Sequence, residues 1–211
     1  MKDRTAEILP APLIERMAAV ATVRTFGKNA IIVSEGDETD SLYVVLAGRA
    51  RVFIADENGR EVQLNHLGPG EYFGEVTLDG GPRSASVMAL EECRCAVVKR
   101  AELTAFLERN PEFALHLVRK LAHRVRALTE SVRNLALMDV YGRVARLLLE
   151  LAEEREGRLV IEEALTQKDM ASRVGCSREM ISRILSDLAE GGYVRKEDRH
   201  LVIMRKPPPR W

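Results

Sequence analysis

The sequence predicts an α+β protein: an N-terminal antiparallel β-roll (jelly roll), a long central helix, and a C-terminal winged helix-turn-helix. Three observations carry this. Short β-rich runs broken by turn signals fill residues 22–98. A seven-residue apolar repeat follows Pro111. Two capped amphipathic helices meeting at a glycine, then a hairpin, close the chain. The expected divisions are a roll over 1–110, a helix over 111–138 and a winged helix-turn-helix over 139–211.

A short helix is expected over residues 11–20, opening at Pro12. Expected strands are Ala30–Val33, Leu42–Leu46, Ala50–Ile54, Val62–Leu67, Ser84–Ala89 and Cys93–Val98. Between them lie Glu35-Gly36-Asp37, Ala47-Gly48, Asp56-Glu57-Asn58-Gly59 and Gly68-Pro69-Gly70. Short strands at such spacing mark an antiparallel sandwich or roll. Cys93 and Cys95 alternate on their strand and are read as packing residues on opposite sides.

From Pro111 to about Met138, Ala114, Val118, Leu121, Val125, Leu128, Val132 and Leu135 recur at alternating steps of four and three. That is the a/d seam of a parallel two-helix interface. The same stripe could instead be buried on the chain's own sandwich. Asp139 can cap a following helix, Val140 to about Glu154, and a two-strand segment around Arg158–Ile161 comes next.

Thr166 can cap a helix running from Gln167 to Val174, Gly175 suits a sharp turn, and Ser177 can cap the next helix. Arg178, Glu179 and Arg183 follow within two turns, the polar end that a recognition helix places in the major groove. Arginine suits guanine edges and glutamate the cytosine amino group. Met180, Ile181, Ile184, Leu185 and Leu188 are expected on the buried side. Tyr193-Val194-Arg195 and Leu201-Val202-Ile203, around a polar turn at Lys196–Arg199, read as the wing, and Pro207-Pro208-Pro209 as a loose tail.

Net charge is zero over 211 residues, but it is unevenly placed. Residues 165–211 carry ten Lys and Arg against six Asp and Glu, and residues 1–164 carry 22 against 26. The C-terminal part is therefore +4 and the rest −4, a polarity compatible with binding a polyanion. Three cysteines give no disulfide framework, no apolar run spans a bilayer, and the N-terminus lacks a secretory pattern, so a cytoplasmic protein is expected.

A second motif is Phe73-Gly74-Glu75-Val76, followed by Arg83-Ser84-Ala85. Gly74 admits a ligand close to the backbone. Glu75 can accept from a ribose hydroxyl, and Arg83 and Ser84 can hold a phosphate. The alternative is a polar loop with a Glu75–Arg83 surface ion pair.

With these motifs in place, the chain resembles the cyclic-AMP receptor protein/FNR superfamily of bacterial transcription regulators, closest to its cyclic-AMP receptor branch. The resemblance runs from about residue 20 to 205. Gly74, Glu75, Val76, Arg83, Ser84 and Ala85 stand where that family has its phosphate-binding cassette, and Asn134-Leu135-Ala136 with Asp139-Val140 resemble its hinge. The resemblance implies an allosteric ligand, cyclic AMP or another cyclic nucleotide, contacted also by Leu128 and Thr129. It implies a homodimer on a palindromic TGTGA-like DNA operator, held by Thr166, Gln167, Ser177, Arg178, Glu179, Ser182 and Arg183. It further implies RNA polymerase as a partner, and no enzymatic activity.

Two features depart from the family pattern. The loop from Glu75 to Arg83 spans eight positions, shorter than in the cyclic-AMP receptor. Where that receptor presents a Thr-Ser pair to adenine, this chain has Leu128 and Thr129. An adenine amino group left unpaired costs about 1–3 kcal/mol, so cyclic GMP, another nucleotide or no nucleotide stays open. An iron–sulfur sensor needs about four cysteines, and no cysteine precedes Cys93. Haem ligation and a cupin-type metal site lack clustered histidines, since the roll has only His66. A non-DNA-binding cyclic-nucleotide interaction module remains the remote alternative, opposed by the recognition helix.

Overall fold

The computed structural model describes residues 8–59, 61–155, 157–162, 166–197 and 200–208. Its contacts divide into two compact units, one of residues up to 56 with 63–126, the other of 57–62 with 127 onward.

The first unit opens with α1 (Ala11–Ala18) and eight strands: β1 (Thr22–Phe26), β2 (Ile31–Val33), β3 (Leu42–Ala47), β4 (Ala50–Ala55), β5 (Glu61–Leu67), β6 (Tyr72–Phe73), β7 (Ser86–Ala89) and β8 (Cys93–Val98). They form two four-stranded antiparallel sheets, ordered β1-β8-β3-β6 and β2-β7-β4-β5. Strand parity divides their side chains between two cores. Tyr43, Val45, Phe73, Cys93, Cys95 and Val97 point between the sheets, against Val33, Val52 and Val87. Leu42, Val44, Tyr72, Ala96 and Val98 point the other way, against α1, α2 (Arg100–Arg109) and α3 (Pro111–Leu137).

Cys93 and Cys95 therefore lie on the same side, not opposite sides, because residues two apart on a strand share a face. Both are fully buried, and burial pushes the Cys95 thiol up to about 12. Neither offers a thiolate for redox chemistry at neutral pH.

β1, β6 and α2 lie outside the expected elements. β1 is a solvent-exposed edge strand whose polar TVRTF sequence shows no alternation, and its pairing with β8 alone defines it. Asn110 separates α2 from α3. Its side-chain amide donates to the Phe106 carbonyl at 2.9 Å, and its own carbonyl accepts from Phe113 N–H at 2.9 Å.

Helix α3 carries two stripes. Phe113, Leu117 and Lys120 are buried. Val118, Val125, Leu128, Val132 and Leu135 are each more than half exposed. At 100° per residue these stripes lie roughly a quarter turn apart. Leu121 of the heptad stripe still packs against the sandwich core, whereas these five stripe residues do not.

In the second unit Asp139 caps α4 (Val140–Leu151), its Oδ1 accepting from Gly142 N–H at 2.7 Å. The helix stops at Leu151, and Glu154 instead lies in β9 (Glu153–Arg155), paired with β10 (Arg158–Ile161). Then come α5 (Gln167–Val174), α6 (Arg178–Glu190) and the wing strands β11 (Val194–Glu197) and β12 (His200–Ile203), the sheet order being β11-β12-β10-β9. Lys196 and Glu197 are in a strand rather than the turn, and the rest of that expected turn, 198–199, lies outside the described residues. Pro207 is buried rather than loose, while Pro209 is not among the described residues. The core joins Tyr141, Val144 and Leu148 of α4 to Met170 and Val174 of α5, Ile181, Ile184 and Leu188 of α6, and Val194 and Ile203 of the wing.

Candidate effector cassette and DNA-reading face

The cassette is built by the link from β6 to β7. After Phe73, Gly74 adopts a φ of +91°, and residues 75–79 make a 3-10 turn closed by Gly80 at φ +92°. A side chain at Gly74 would meet the Ser41 carbonyl at 2.6 Å and the Arg83 guanidinium. Glycine there is a packing requirement, because it lets the guanidinium lie against the backbone.

Arg83 is buried and tied to its surroundings. Its Nε donates to Thr39 Oγ1 at 2.8 Å, its Nη2 to the Ser41 carbonyl at 2.8 Å, and its Nη1 to the Gly74 carbonyl at 3.4 Å. Burial pulls its affinity for the proton down, and Tyr43 and the Asp40 and Asp37 carboxylates oppose this. These bonds use three of five N–H donors, which leaves donor capacity for an anion. Ser84 beside it is exposed, and Ala85 is half-buried.

Glu75 is buried at 3% exposure. Its Oε1 accepts from Arg124 Nη1 at 3.2 Å, and Lys120 Nζ stands 4.0 Å from its Oε2. The alternative, a surface ion pair between Glu75 and Arg83, is not the arrangement found. Glu75 turns to two cations of α3, and Arg83 turns to the Thr39 hydroxyl and the Ser41 and Gly74 carbonyls. Oε2 is buried without a hydrogen-bond partner, and a buried acceptor left unpaired costs about 1–3 kcal/mol. Val76 is exposed. Lys120 and Arg124 are absent from the sequence-based candidates. Lys120 follows Leu117 by three and precedes Arg124 by four, so the spacing alone marks one helix face. A lysine there reads as solvated until its burial is seen.

Leu128 and Thr129 lie further along α3, both with exposed side chains. Beyond them, α4 is tied to the end of α3 by two arginines. Arg143 Nη1 donates to the Met138 carbonyl at 3.0 Å and its Nε to the Val174 carbonyl at 3.1 Å. Arg146 bonds Asn134 Oδ1 at 2.8 Å, Glu150 at 2.9 Å and Glu130. Of the residues read as a hinge, Asn134 is therefore held by a side chain of α4.

The helix-turn-helix has the expected caps. Thr166 Oγ1 accepts from Asp169 N–H at 3.1 Å, and the Asp169 carboxylate accepts from Thr166 N–H at 3.0 Å. Ser177 Oγ accepts from Met180 N–H at 3.2 Å. Each such cap is worth about 1 kcal/mol. Gly175 takes φ +74° at the turn. Gln167, Arg178, Glu179, Ser182, Arg183 and Ser186 line one open concavity. Ser186, one turn beyond Ser182, extends the expected set. The Glu179 carboxyl is held below the usual range by its own backbone N–H, the Ser177 hydroxyl and Arg178, so it is an acceptor at neutral pH. Met180 is exposed rather than buried, because the buried stripe centres on Ile181, Ile184 and Leu188 and leaves Met180 about a quarter turn away.

A β-roll, joined through a long helix to a winged helix-turn-helix, is the build of an effector-responsive, DNA-binding transcription regulator. Likeness to known proteins narrows the class. Residues 23–110 match the cyclic nucleotide-binding domain and residues 142–208 the Crp-like helix-turn-helix domain. The CRP-like cAMP-activated global transcriptional regulator of Mycobacterium tuberculosis is 34% identical over 183 residues, covering 84% of this chain and 82% of its own. The catabolite activator protein of Thermus thermophilus is 31% identical with a TM-score of 0.56, covering 92% of this chain and 91% of its own. The c-di-GMP responsive global regulator CLP of Xanthomonas campestris is 25% identical with a TM-score of 0.79, covering 94% of this chain and all of its own. The chain belongs to the CRP/FNR family of transcription regulators. Its family is one of regulators, not enzymes. Among the described residues no helix is long and apolar enough to cross a membrane.

Proposed function

We propose that the chain acts as a homodimeric regulator that binds a cyclic nucleotide in the cassette, cyclic AMP first, and a palindromic TGTGA-like operator through its recognition helices. The single observation that carries the ligand reading is Glu75 Oε2, a buried acceptor without a hydrogen-bond partner, on the residue that follows Gly74, whose carbonyl accepts from Arg83. A ribose hydroxyl satisfies the acceptor. A cyclic phosphate takes the remaining Arg83 donors and exposed Ser84. The exposed apolar stripe of α3 supports the dimer, because a contiguous exposed seam is an interaction surface. Two recognition helices then sit about 34–36 Å apart, one turn of DNA. RNA polymerase is the proposed partner of the bound dimer.

In this reading Arg178 and Arg183 read guanines and Glu179 a cytosine, with Thr166, Gln167, Ser177 and Ser182 supporting the backbone contacts. Arg183→Ala is expected to cost about 1–3 kcal/mol per half-site and to relax preference at one base position. Competition binding across single-base operator variants checks this. A uniform loss over all sequences contradicts base readout.

The switch is a population shift, in which the effector binds the DNA-competent state more tightly than the other. Leu128 supplies no hydroxyl for the adenine amino group. Leu128→Thr is expected to tighten cyclic AMP by roughly tenfold, measured by calorimetric titration; no change means that adenine is not recognised from this position. A second reading, a cyclic dinucleotide, is favoured by that leucine and by the c-di-GMP responsive relative. The titration with cyclic AMP, cyclic GMP and cyclic di-GMP decides between them. Silence toward all three sinks the nucleotide reading.

A further inference from the structure

Lys120 is among the most buried side chains of the chain, at 1% exposure. Its Nζ lies 3.4 Å from the centroid of the Tyr72 ring, donates to the Tyr72 carbonyl, and stands 4.0 Å from Glu75 Oε2. An ammonium taken out of water costs several kcal/mol unless a counter-charge and hydrogen bonds compensate. Tyr72 supplies a ring face and a carbonyl, and Glu75 supplies the charge. Tyr72 and Glu75 flank Phe73-Gly74, so one lysine grips both sides of the entry to the cassette.

The ammonium gives a hydrogen bond to the Tyr72 carbonyl and none to Glu75 Oε2. At 4.0 Å it neutralises Glu75 without occupying Oε2. Arg124, one turn along, takes Oε1 at 3.2 Å. A guanidinium prefers to take both oxygens of a carboxylate. With an apolar residue at 120, nothing would hold Oε2 away from Arg124, and both oxygens would be used internally.

We infer that Lys120 is a positioning residue for effector binding: it holds the Glu75 carboxylate so that Oε1 is committed to Arg124 and Oε2 stays free for a sugar hydroxyl of the ligand. This rests on the reading of Glu75 as the hydroxyl acceptor. In this role Lys120 acts through Glu75. It also sits on α3 beside Leu121, a residue of the heptad seam, so the helix that forms the seam is the helix that sets the acceptor.

The test compares cyclic AMP with 2′-deoxy cyclic AMP by calorimetry, in the full-length wild-type protein and in Lys120→Met. The wild type is expected to prefer cyclic AMP by roughly tenfold or more, the worth of one satisfied buried acceptor. In Lys120→Met that ratio is expected to fall toward one. A merely structural lysine would weaken both ligands together and leave the ratio intact, and that result overturns the inference. A wild type without any preference overturns the reading of Glu75 instead. A second arm needs no ligand. Glu75→Gln is expected to lower the urea midpoint by stranding the ammonium, and Glu75→Gln with Lys120→Met is expected to recover part of the loss. Additive losses would contradict the counter-ion role, whatever the nucleotide binds.

Discussion

Val125→Glu combined with Val132→Glu is expected to turn the protein into a folded monomer with no specific grip on a palindromic operator. Both valines are more than 60% exposed on the isolated chain, so the substitutions leave the two cores untouched. In a two-fold seam each change acts twice. Four valines lose about 1.5 kcal/mol or more of burial each, about 6 kcal/mol per dimer, and carboxylates are brought face to face across the seam. At 1.4 kcal/mol per decade, the dimer dissociation constant rises by about four orders of magnitude. Sedimentation equilibrium reads the assembly, and thermal unfolding confirms the fold. A variant that stays dimeric and still binds the palindrome would place the interface elsewhere.

Gly74→Ala is expected to damage the cassette from within. The position has φ +91°, and a Cβ would stand 2.6 Å from the Ser41 carbonyl, a backbone atom that cannot swing aside. The left-handed conformation alone costs an L-residue about 1–2 kcal/mol. The overlap adds about 1–3 kcal/mol and displaces Arg83. Gly59 is the internal control. It has φ +74° with nothing within 4 Å of the place a Cβ would take, so Gly59→Ala carries the conformational cost alone. Urea unfolding should rank Gly74→Ala well below Gly59→Ala, and calorimetry should show cyclic AMP binding lost only in the former. Equal effects would mean that the close approach of Arg83 to the backbone at residue 74 has no energetic weight.

What could be read before the structure was what short-range rules encode. The caps at Asp139, Thr166 and Ser177 and the turn at Gly175 depend on hydrogen bonds within a few residues, and each lies where the spacing put it. Most roll strands were legible from turn signals on either side. β1 was not, because an exposed edge strand needs no alternation and is defined only by its partner. The division of labour on α3 was half legible. The heptad stripe is periodic and visible, but a buried lysine breaks the rule that charges face water. Only the placement of Tyr72 and Glu75 against it shows why it is tolerated. The same holds for the cassette. Glu75 and Arg83 were recognisable by type, yet their partners come from α3 and from the loop at Thr39–Ser41, which are distant in sequence and leave no local signature.

The central claim is that occupancy of the cassette and affinity for DNA are coupled. The most direct measurement is the fluorescence anisotropy of a labelled palindromic TGTGA duplex titrated with the wild-type protein, at one fixed salt concentration, with and without saturating cyclic AMP. Salt must be held constant because phosphate contacts make any affinity salt-dependent. A coupling free energy of about 1–3 kcal/mol predicts operator binding tightened by roughly 5- to 150-fold in the presence of the nucleotide, with a scrambled duplex little changed. Nucleotide binding seen by calorimetry, together with identical operator curves in its presence and absence, would contradict the account.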